Sequence, residues 1–279
     1  MLNLSLSNKI DFAVVFSVKN ANPNGDPLNG NRPRTTYNGF GEISDVCIKR
    51  KLRDRLLETG ESIFVQSSSN TKDGFPNLRT RAEATLKTTK KDEFATEACK
   101  TWFDVRAFGQ VFAFKRNKRE EAEEDADIVS CGIRGPVTIQ SAFSLSSIDV
   151  SNLQITKSVS NEGNGHKKTP DTMGIKSRID SAVFVFYGSM SPQLAEKTGF
   201  SDQDALKIKA ILPRLFENDA SSSRPAGSMR ILKVIWWDHG CKNGKCSSGR
   251  IFESLKINSD GSVVVPLIKG IKPEIIEGF

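Results

Sequence analysis

The chain has 279 residues, of which 37% are hydrophobic and 26% are charged, and its 17 Phe residues supply bulky material for a core. This composition excludes a disordered, collagen-like or fibrous protein, and the length suits one large domain or two small ones. Lys and Arg number 40 against 33 acidic residues, a formal net charge of +7 that suits a polyanionic partner without demonstrating one.

Targeting signals and cysteine usage indicate the compartment. The N-terminal segment lacks a basic stretch followed by a long apolar run, so we expect no signal peptide. No stretch approaches about 18 uninterrupted apolar residues, which predicts that no segment spans a membrane. The cysteine count is low and odd, which is typical of reduced thiols in a cytoplasm. The cysteines are Cys47, Cys99, Cys131, Cys241 and Cys246.

The N-terminal part of the chain predicts a strand, a loop and a helix. Apolar residues alternate over 10–19, as they do in a strand. Asn, Pro, Gly and Asp crowd residues 20–27, and this loop continues to Gly41. Ser44 can cap a helix that ends near Gly60. The predicted buried stripe of this helix is Ile48, Leu52 and Leu56.

Regular and irregular segments alternate in the middle of the chain. Residues 67–91 are rich in Ser, Thr and Lys without a clear period, which predicts an irregular surface insertion. A second helix is predicted over 92–103. The charge run over 115–127 switches from basic to acidic and predicts a solvated, mobile loop. Residues 136–145 predict a strand with one face made of Val137, Ile139, Phe143 and Leu145.

A polar, glycine-rich and basic segment over 156–178 predicts a long hairpin or flap, because a strand is predicted on each side of it. The strand that follows is predicted at 181–187. Ser201 and Asp204 resemble a capping box before a helix that reaches about residue 218, with a kink or early stop at Pro213.

Strands and a tight turn are predicted in the C-terminal part of the chain. Strands are expected at 231–237, 251–257 and 263–268, and the last two are joined by a turn at Asp260 and Gly261. Helices and strands are interspersed without regular alternation through the whole chain. This order favours an α+β fold over a doubly wound sheet.

Motifs of several enzyme classes are missing from the sequence. It contains no Gly-x-x-x-x-Gly-Lys phosphate loop, no Gly-x-Gly-x-x-Gly after a strand and no Gly-x-Ser-x-Gly elbow. His166 and His239 lie far apart, which argues against catalysis by a histidine pair. Cys241 and Cys246 lie near His239, but a structural zinc site needs four ligands, so ordinary thiols beside a turn are the favoured interpretation. We therefore expect no metal and no cofactor.

Two groups of basic residues form the most informative pattern. The first group consists of Arg32, Arg34, Lys49, Arg50, Lys51, Arg53 and Arg55, and the second consists of Lys157, Lys167, Lys168, Lys176 and Arg178. A solvated helix surface explains Lys51 and Arg55. Cations in loops rich in Asn and Gly are better suited to phosphate, because guanidinium and backbone N–H groups can both donate to it. Met173, in the predicted hairpin, is a candidate wedge between bases.

Several segments resemble the backbone subunit of type I-C CRISPR surveillance complexes, known as Cascade. They are residues 22–27 (Asn-Pro-Asn-Gly-Asp-Pro), 33–34, 44–53, 103–112, 132–140 and 171–174, and they occur in the order found in that family. The similarity covers most of residues 10–190. After about residue 195 it is limited to length and general character.

The resemblance implies an RRM/ferredoxin-like palm with large insertions, in a single hand-shaped domain over 1–279. It implies a finger insertion at about 67–130 and a β-hairpin thumb at about 151–180. Several copies would form a helical oligomer along one CRISPR guide RNA (crRNA) and present it to a target DNA strand, in antiviral defence in a prokaryotic cytoplasm. The other implied partners are the guide-processing, large and small Cascade subunits. The subunit is implied to be a scaffold and not a nuclease.

The resemblance also implies which residues contact RNA. A subunit that accepts any spacer cannot read base edges, so phosphate, ribose and stacking faces are the expected contacts. The palm loop and its helix would contribute Asn22, Asn24, Arg32, Arg34, Lys49, Arg50 and Arg53, and the same face would include Arg106, Gln110 and Arg134. The thumb would contribute Lys157, His166, Lys167, Lys168, Met173, Lys176 and Arg178.

Two other functions stay open at this point. A metal-dependent ribonuclease of the same superfamily would use Asp26 or Asp171 and would require a divalent cation. A basic protein-interaction module would show no salt-dependent affinity for RNA. Asp26 is favoured as a turn former, since no paired carboxylate signature accompanies it.

Overall fold

The structure, a computed structural model, describes residues 5–87, 90–113, 130–158 and 173–279. The predicted charged loop at 115–127 lies outside these residues, as do His166, Lys167, Lys168 and Asp171. No helix within the described ranges is long and apolar enough to cross a bilayer.

Fourteen strands and seven α-helices are described. The strands are β1 (Ile10–Ala21), β2 (Gly25–Asp26), β3 (Arg32–Pro33), β4 (Phe40–Ile43), β5 (Gly109–Ala113), β6 (Ser130–Arg134), β7 (Val137–Ile139), β8 (Ala142–Ser147), β9 (Val150–Thr156), β10 (Met173–Met190), β11 (Met229–Asp238), β12 (Lys256–Ile257), β13 (Val263–Val264) and β14 (Glu274–Glu277). The helices are α1 (Asp45–Glu58), α2 (Leu78–Thr85), α3 (Lys91–Thr101), α4 (Phe103–Phe108), α5 (Pro192–Thr198), α6 (Asp202–Ile211) and α7 (Ser248–Ser254).

One antiparallel sheet organises the molecule. Its strand order is β14-β11-β1-β10-β8-β4, and β7 and β9 also pair with β10. The chain path β1–α1–β8–β10–α6–β11, with the spatial order β11-β1-β10-β8, is a β-α-β-β-α-β arrangement. The predicted α+β class is confirmed.

The central strand β1 is buried on both faces, which explains its dense apolar sequence. Its larger residues face a helix-side core against α1, α4, α5 and α6, where the rings of Phe16 and Phe184 stack with centroids 5.5 Å apart. Ala13 and Val15 face the opposite side. The predicted buried stripe of α1 is confirmed, since Ile48, Leu52 and Leu56 all belong to the helix-side core. Burial of each such side chain contributes about 1.5–3 kcal/mol.

The opposite face of the sheet is covered by the C-terminal segment. Trp237 and Ile235 of β11 pack there with Ile251, Leu255 and Ile271, in what we call the C-terminal core. A third cluster lies in the insertion between α1 and β7. In it the ring of Phe64 contacts those of Trp102 and Phe112 at centroid distances of 4.6 and 5.0 Å.

The predicted strand at 251–257 is wrong, because most of this segment is helix α7. The Ser247 hydroxyl accepts a hydrogen bond from the Arg250 N–H, which caps the helix and outweighs the strand preference of the apolar residues. The hairpin around Gly261 is present, but its strands shrink to Lys256–Ile257 and Val263–Val264. Gly261 has φ of +83°, a conformation that the turn requires and that other residues rarely adopt.

The insertion at 67–91 is more regular than predicted. It contains a 3₁₀ turn at Ser68–Asn70 and helix α2, which Asn77 caps. Leu78, Ala82 and Leu86, each four positions apart, pack in the third cluster. The buried Arg81 makes a bidentate ion pair with Asp73 at 2.7 and 2.8 Å. This hydrogen-bonded arginine lowers the pKa of Asp73.

Two further element boundaries differ from prediction. The strand expected at 136–145 is broken into β7 and β8, so the alternation shifts: Ala142 and Ser144 are buried, whereas Phe143 is 42% exposed. The helix expected to reach residue 218 ends at Ile211 and continues only as a 3₁₀ turn over Leu212–Arg214. Pro213 lacks the N–H that a longer helix needs. The capping box at its start is confirmed.

Candidate nucleic-acid interface

The palm loop, residues 20–34, is folded by its own asparagines. The buried Asn22 amide donates to the Asn31 carbonyl oxygen at 2.7 Å, and the Asn31 N–H donates to the Asp26 carbonyl oxygen at 2.8 Å. Gly25 is required because a Cβ there would lie 2.0 Å from the Asn31 side chain. The Asn24 side chain accepts hydrogen bonds from the Ser44 N–H and hydroxyl at 2.9 and 3.0 Å, which fixes the loop to the start of α1.

Within the palm loop, Asp26 has a structural role. Its carboxylate accepts a hydrogen bond from the Leu28 N–H at 3.2 Å and lies 3.6 Å from the Arg34 guanidinium. No group of three potential metal ligands occurs in the described ranges. The ribonuclease alternative therefore has no support at Asp26, and Asp171 lies outside the described residues.

The basic residues of α1 that were predicted to contact RNA are paired with acids. Lys49 contacts Asp45 at 3.0 Å in the preceding turn. Arg50 contacts Asp54 and, at 3.1 Å, Asp219. The next paired cation, Arg53, donates to Asp104 at 2.8 Å. Each of these three cations therefore has an acidic partner within the chain.

The expectation that Lys51 and Arg55 lie on a solvated helix surface is wrong. The two side chains are buried, Lys51 at 2% exposure, where it contacts Asp219, while Arg55 contacts Glu58. Burial lowers the pKa of Lys51 although Asp219 acts in the opposite direction. The reason is position: Lys51 and Arg55 face the segment after α6 and not the solvent.

Asp219 is a residue that sequence reasoning missed. Its carboxylate contacts Arg50, Lys51 and Arg224, the last at 3.0 Å. Burial alone would raise its pKa, but Lys51, Arg224 and Arg50 together hold the pKa of Asp219 below its ordinary value. No local pattern could have identified this centre, since Lys51 and Asp219 are 168 residues apart.

Arg106 and Asp104, in the segment that carried part of the resemblance, connect elements inside the molecule. Arg106 makes a bidentate pair with Asp204 of the α6 capping box at 2.9 and 3.0 Å, and its guanidinium lies 4.7 Å from the centre of the Phe103 ring. Asp104 accepts hydrogen bonds from the Phe64 and Val65 N–H groups at 2.7 and 3.0 Å. Both side chains thus have hydrogen-bond partners within the chain.

Gln110 and Arg134 lie on the hairpin of β5 and β6. The Gln110 amide donates to the Val111 carbonyl oxygen at 3.0 Å, and Arg134 is exposed opposite Gly109. Arg134 has no acidic partner in the part of the chain that the structure describes.

Within the range predicted to form a thumb, the structure describes β9 and β10, which pair as the two arms of a hairpin. The register pairs Met173 with Thr156 and Lys176 with Leu153, so the two faces of the hairpin have different composition. One face carries Leu153, Ile155, Lys176 and Arg178, and the other carries Asn152, Gln154, Met173 and Ile175. Met173 is 59% exposed, and Lys157 is exposed without an acidic partner among the described residues.

A junction loop, residues 219–228, joins the palm loop, the hairpin and α1. Its Ser223 carbonyl oxygen accepts from the Asn22 N–H at 2.8 Å, and its Ser222 carbonyl oxygen accepts from the Lys176 ammonium. Asp219 at its start binds the cations of α1 described above. The structure therefore brings together three of the segments predicted to contact RNA, although many of their cations are paired internally.

His239 is buried and has protein partners at both ring nitrogens. Nδ1 accepts a hydrogen bond from the Lys245 N–H at 3.0 Å, so Nε2 carries the proton that it shares with Asp11 at 2.8 Å. Neither nitrogen is available as a ligand beside Cys241 and Cys246. The interpretation of these cysteines as ordinary thiols agrees with this geometry.

Comparison with known proteins gives one family and one shared fold. Residues 8–270 match the model of the family described as CRISPR-associated protein Cas7. A relative with that description from Haloferax volcanii is 26% identical over 294 residues, which cover 97% of this chain and 81% of the relative. A chain from a solved "CRISPR RNA-guided surveillance complex, pre-nicking" shares the fold, with 16% identity, a TM-score of 0.50, and coverage of 82% of this chain and 78% of that one. A chain from a second such complex has 17% identity and a TM-score of 0.45 over 91% of this chain and 77% of that one.

Proposed function

The chain belongs to the CRISPR-associated protein Cas7 family, and on that premise we propose that it is the crRNA-binding backbone subunit of a type I-C Cascade complex. Copies of the chain bind side by side along the guide RNA as a helical oligomer. They leave the bases free to pair with a target DNA strand in antiviral defence. The guide-processing, large and small subunits complete the set of partners.

The observation that carries the RNA-binding proposal is the set of cations without acidic partners on loops and strand ends. Arg32 lies in the palm loop, and Lys157 lies on the hairpin that the junction loop connects to it. Neither has an ion-pair partner among the described residues. Such cations can bind the phosphates of an RNA backbone, because this binding breaks no ion pair within the protein.

The contacts are expected to be independent of sequence. In RNA-binding sheets, bases usually stack on aromatic residues of the open sheet face. Here the C-terminal core covers that face, with Trp237 and Ile251 completely buried. Support for backbone recognition therefore comes from the loops at the end of β1, and we propose that the palm, the insertion at about 67–130 and the thumb at about 151–180 act together as one hand.

The subunit is proposed to act as a scaffold without catalysing a reaction. Asp26 is held by Leu28 and Arg34 in the turn that it caps, and the histidine of the C-terminal part is occupied by Asp11 and Lys245. These contacts account for both groups structurally.

The proposal is tested with the double variant Arg32→Glu/Lys157→Glu. The protein is purified after co-expression with a CRISPR array, and the RNA that it retains is quantified on a denaturing gel. We expect strongly reduced RNA occupancy, and a plot of log affinity against log salt whose slope is less steep by about 1.4, or about 0.7 for each lost phosphate contact.

The matched control is Lys256→Glu/Lys272→Glu, which changes charge equally on exposed residues near the C-terminal core. It should retain wild-type RNA. Unchanged occupancy and slope in Arg32→Glu/Lys157→Glu would exclude these residues, and release of shortened RNA upon addition of Mg²⁺ would favour the ribonuclease alternative.

A further inference from the structure

A basic cleft is lined in part by the junction loop, and its lining includes no residue of α1. It encloses about 460 Å³, a volume within the usual range of about 300–1,000 Å³ for small-ligand sites. Arg214, Arg224 and Arg230 line it together with Phe216 and Phe279. None of these five residues belongs to the segments that carry the resemblance.

The charges around this cleft favour an anion. Arg224 is paired with Asp219, but Arg214 and Arg230 are exposed and have no acidic partner in the described part of the chain. Asp219 is itself neutralised by Lys51 and Arg50 from the far side. Glu217 and the terminal carboxylate of Phe279 are the other negative groups in the lining, and neither lies within ion-pair distance of Arg214 or Arg230 in the described part of the chain. Free guanidinium groups of this kind bind phosphate oxygens well.

An aromatic platform adjoins the arginines. The Arg214 guanidinium lies 3.6 Å from the centre of the Phe279 ring, and Phe279 is 70% exposed. The backbone around Phe279 is fixed: its N–H donates to the Pro213 carbonyl oxygen at 3.2 Å, and the Gly278 N–H donates to the Leu232 carbonyl oxygen at 3.1 Å. A Cβ on Gly278 would lie 1.8 Å from the Ile231 carbonyl oxygen, so only glycine permits this approach.

We propose that this cleft binds one nucleotide of a single-stranded nucleic acid, with its phosphate on Arg214 and Arg230 and its base against Phe279. Every single strand has a charged backbone and flat bases, whatever its sequence. A guanidinium can bind the backbone phosphate and an aromatic ring can stack on the base, so one site that holds both groups can bind any single strand. The inference rests on the proposed function in taking the polymer to be nucleic acid. The strand is either the guide RNA or a second strand that meets the complex beside it.

The test uses the RNA-loaded complex and two labelled probes. Guide RNA containing 4-thiouridine, or an added non-complementary 4-thiothymidine-labelled DNA strand, is irradiated, and crosslinked peptides are identified by mass spectrometry. A crosslink at Phe279 or at residues 225–231 from the first probe identifies the guide as the source, and one from the second probe identifies another strand. Either result supports the proposal, and absence of both overturns it.

Binding measurements on variants of the cleft are the second test. The affinity of the purified chain for fluorescent dT₁₀ is expected to fall about tenfold in Arg214→Gln/Arg230→Gln. Adding Phe279→Ala, which removes the stacking face, should lower the affinity further, whereas Phe279→Tyr keeps an aromatic ring and should not. The matched control Lys256→Gln/Lys272→Gln should bind as the wild type does. Equal affinity in the arginine variant and the control would overturn the proposal. The dT₁₀ assay needs no guide RNA. Loss of crRNA retention in Arg32→Glu/Lys157→Glu tests the proposed function, whereas loss of dT₁₀ binding in the cleft variants tests this inference, so the two failures are distinguishable.

Discussion

Cations in two regions of the molecule have opposite environments: Arg53 and Arg106 in α1 and α4 are paired, whereas Arg32 in the palm loop and Lys157 after β9 are not. Arg53 and Arg106 contact carboxylates that are themselves almost completely buried, at 2.8 and 2.9 Å. Arg32 and Lys157 have no acidic partner among the described residues. An internal carboxylate neutralises a guanidinium and takes up some of its N–H donors, so a paired arginine attracts an RNA phosphate less strongly than an unpaired one does. The number of cations in a basic segment therefore overestimates the number of its phosphate contacts.

The first prediction concerns the buried ion pair of Arg106 and has the largest expected effect, which is on stability. Arg106→Ala leaves Asp204 charged and buried beside the capping box of α6. Removal of one partner of a buried pair costs about 3–5 kcal/mol, so the variant should be destabilised by about that amount in urea denaturation. Its residual folded fraction should bind RNA with unchanged salt dependence.

The control for Arg106→Ala is Lys100→Ala, which breaks an exposed pair with Glu97. Pairs of this kind contribute about 0–1 kcal/mol, so its denaturation midpoint should barely move. If Arg106→Ala were as stable as Lys100→Ala and bound less RNA, Arg106 would belong with the RNA-contacting cations.

The second prediction concerns Asp219, which connects the two environments. Asp219→Asn leaves Lys51 buried without its charged partner and should cost about 2 kcal/mol. The native pKa of Asp219 is lowered, so its contribution to stability is complete above the ordinary value of 3.8 and is lost as pH falls through the lower folded-state value. Denaturation curves below pH 4 should therefore be less pH-dependent in Asp219→Asn than in the wild type.

The third prediction compares one paired cation with one unpaired cation. Arg53→Gln removes a cation held by Asp104, and Arg32→Gln removes one without an acidic partner. We expect Arg53→Gln to lose stability and to keep the wild-type salt slope for RNA binding. Arg32→Gln should instead make the salt slope less steep by about 0.7 and change the stability by no more than about 0.5 kcal/mol. Equal slopes in the two variants would show that the internal ion pairs do not decide which cations bind RNA.

Local sequence signals predicted the parts of the fold that local physics decides. The alternation in β1, the buried stripe of α1 and the capping box of Ser201 and Asp204 all follow from interactions between residues a few positions apart. The site was less accessible to prediction, because the partner of Arg106 lies 98 residues away and that of Lys51 lies 168 residues away. A sequence shows that a cation is present, but only the fold decides whether a carboxylate meets it.

The last prediction has the smallest expected effect and concerns Met173 on the hairpin. Its side chain is 59% exposed, so Met173→Ala should change stability by no more than about 0.5 kcal/mol. If Met173 separates neighbouring bases, as apolar wedges do, its truncation should weaken RNA binding about fivefold, and 2-aminopurine in the guide should become less fluorescent because stacking is restored. Leu267→Ala, which truncates another exposed apolar residue, is the control and should change neither signal. If Met173→Ala left the fluorescence unchanged, the hairpin would hold RNA through its cations alone, and the comparison between paired and unpaired charges would then account for the whole interface.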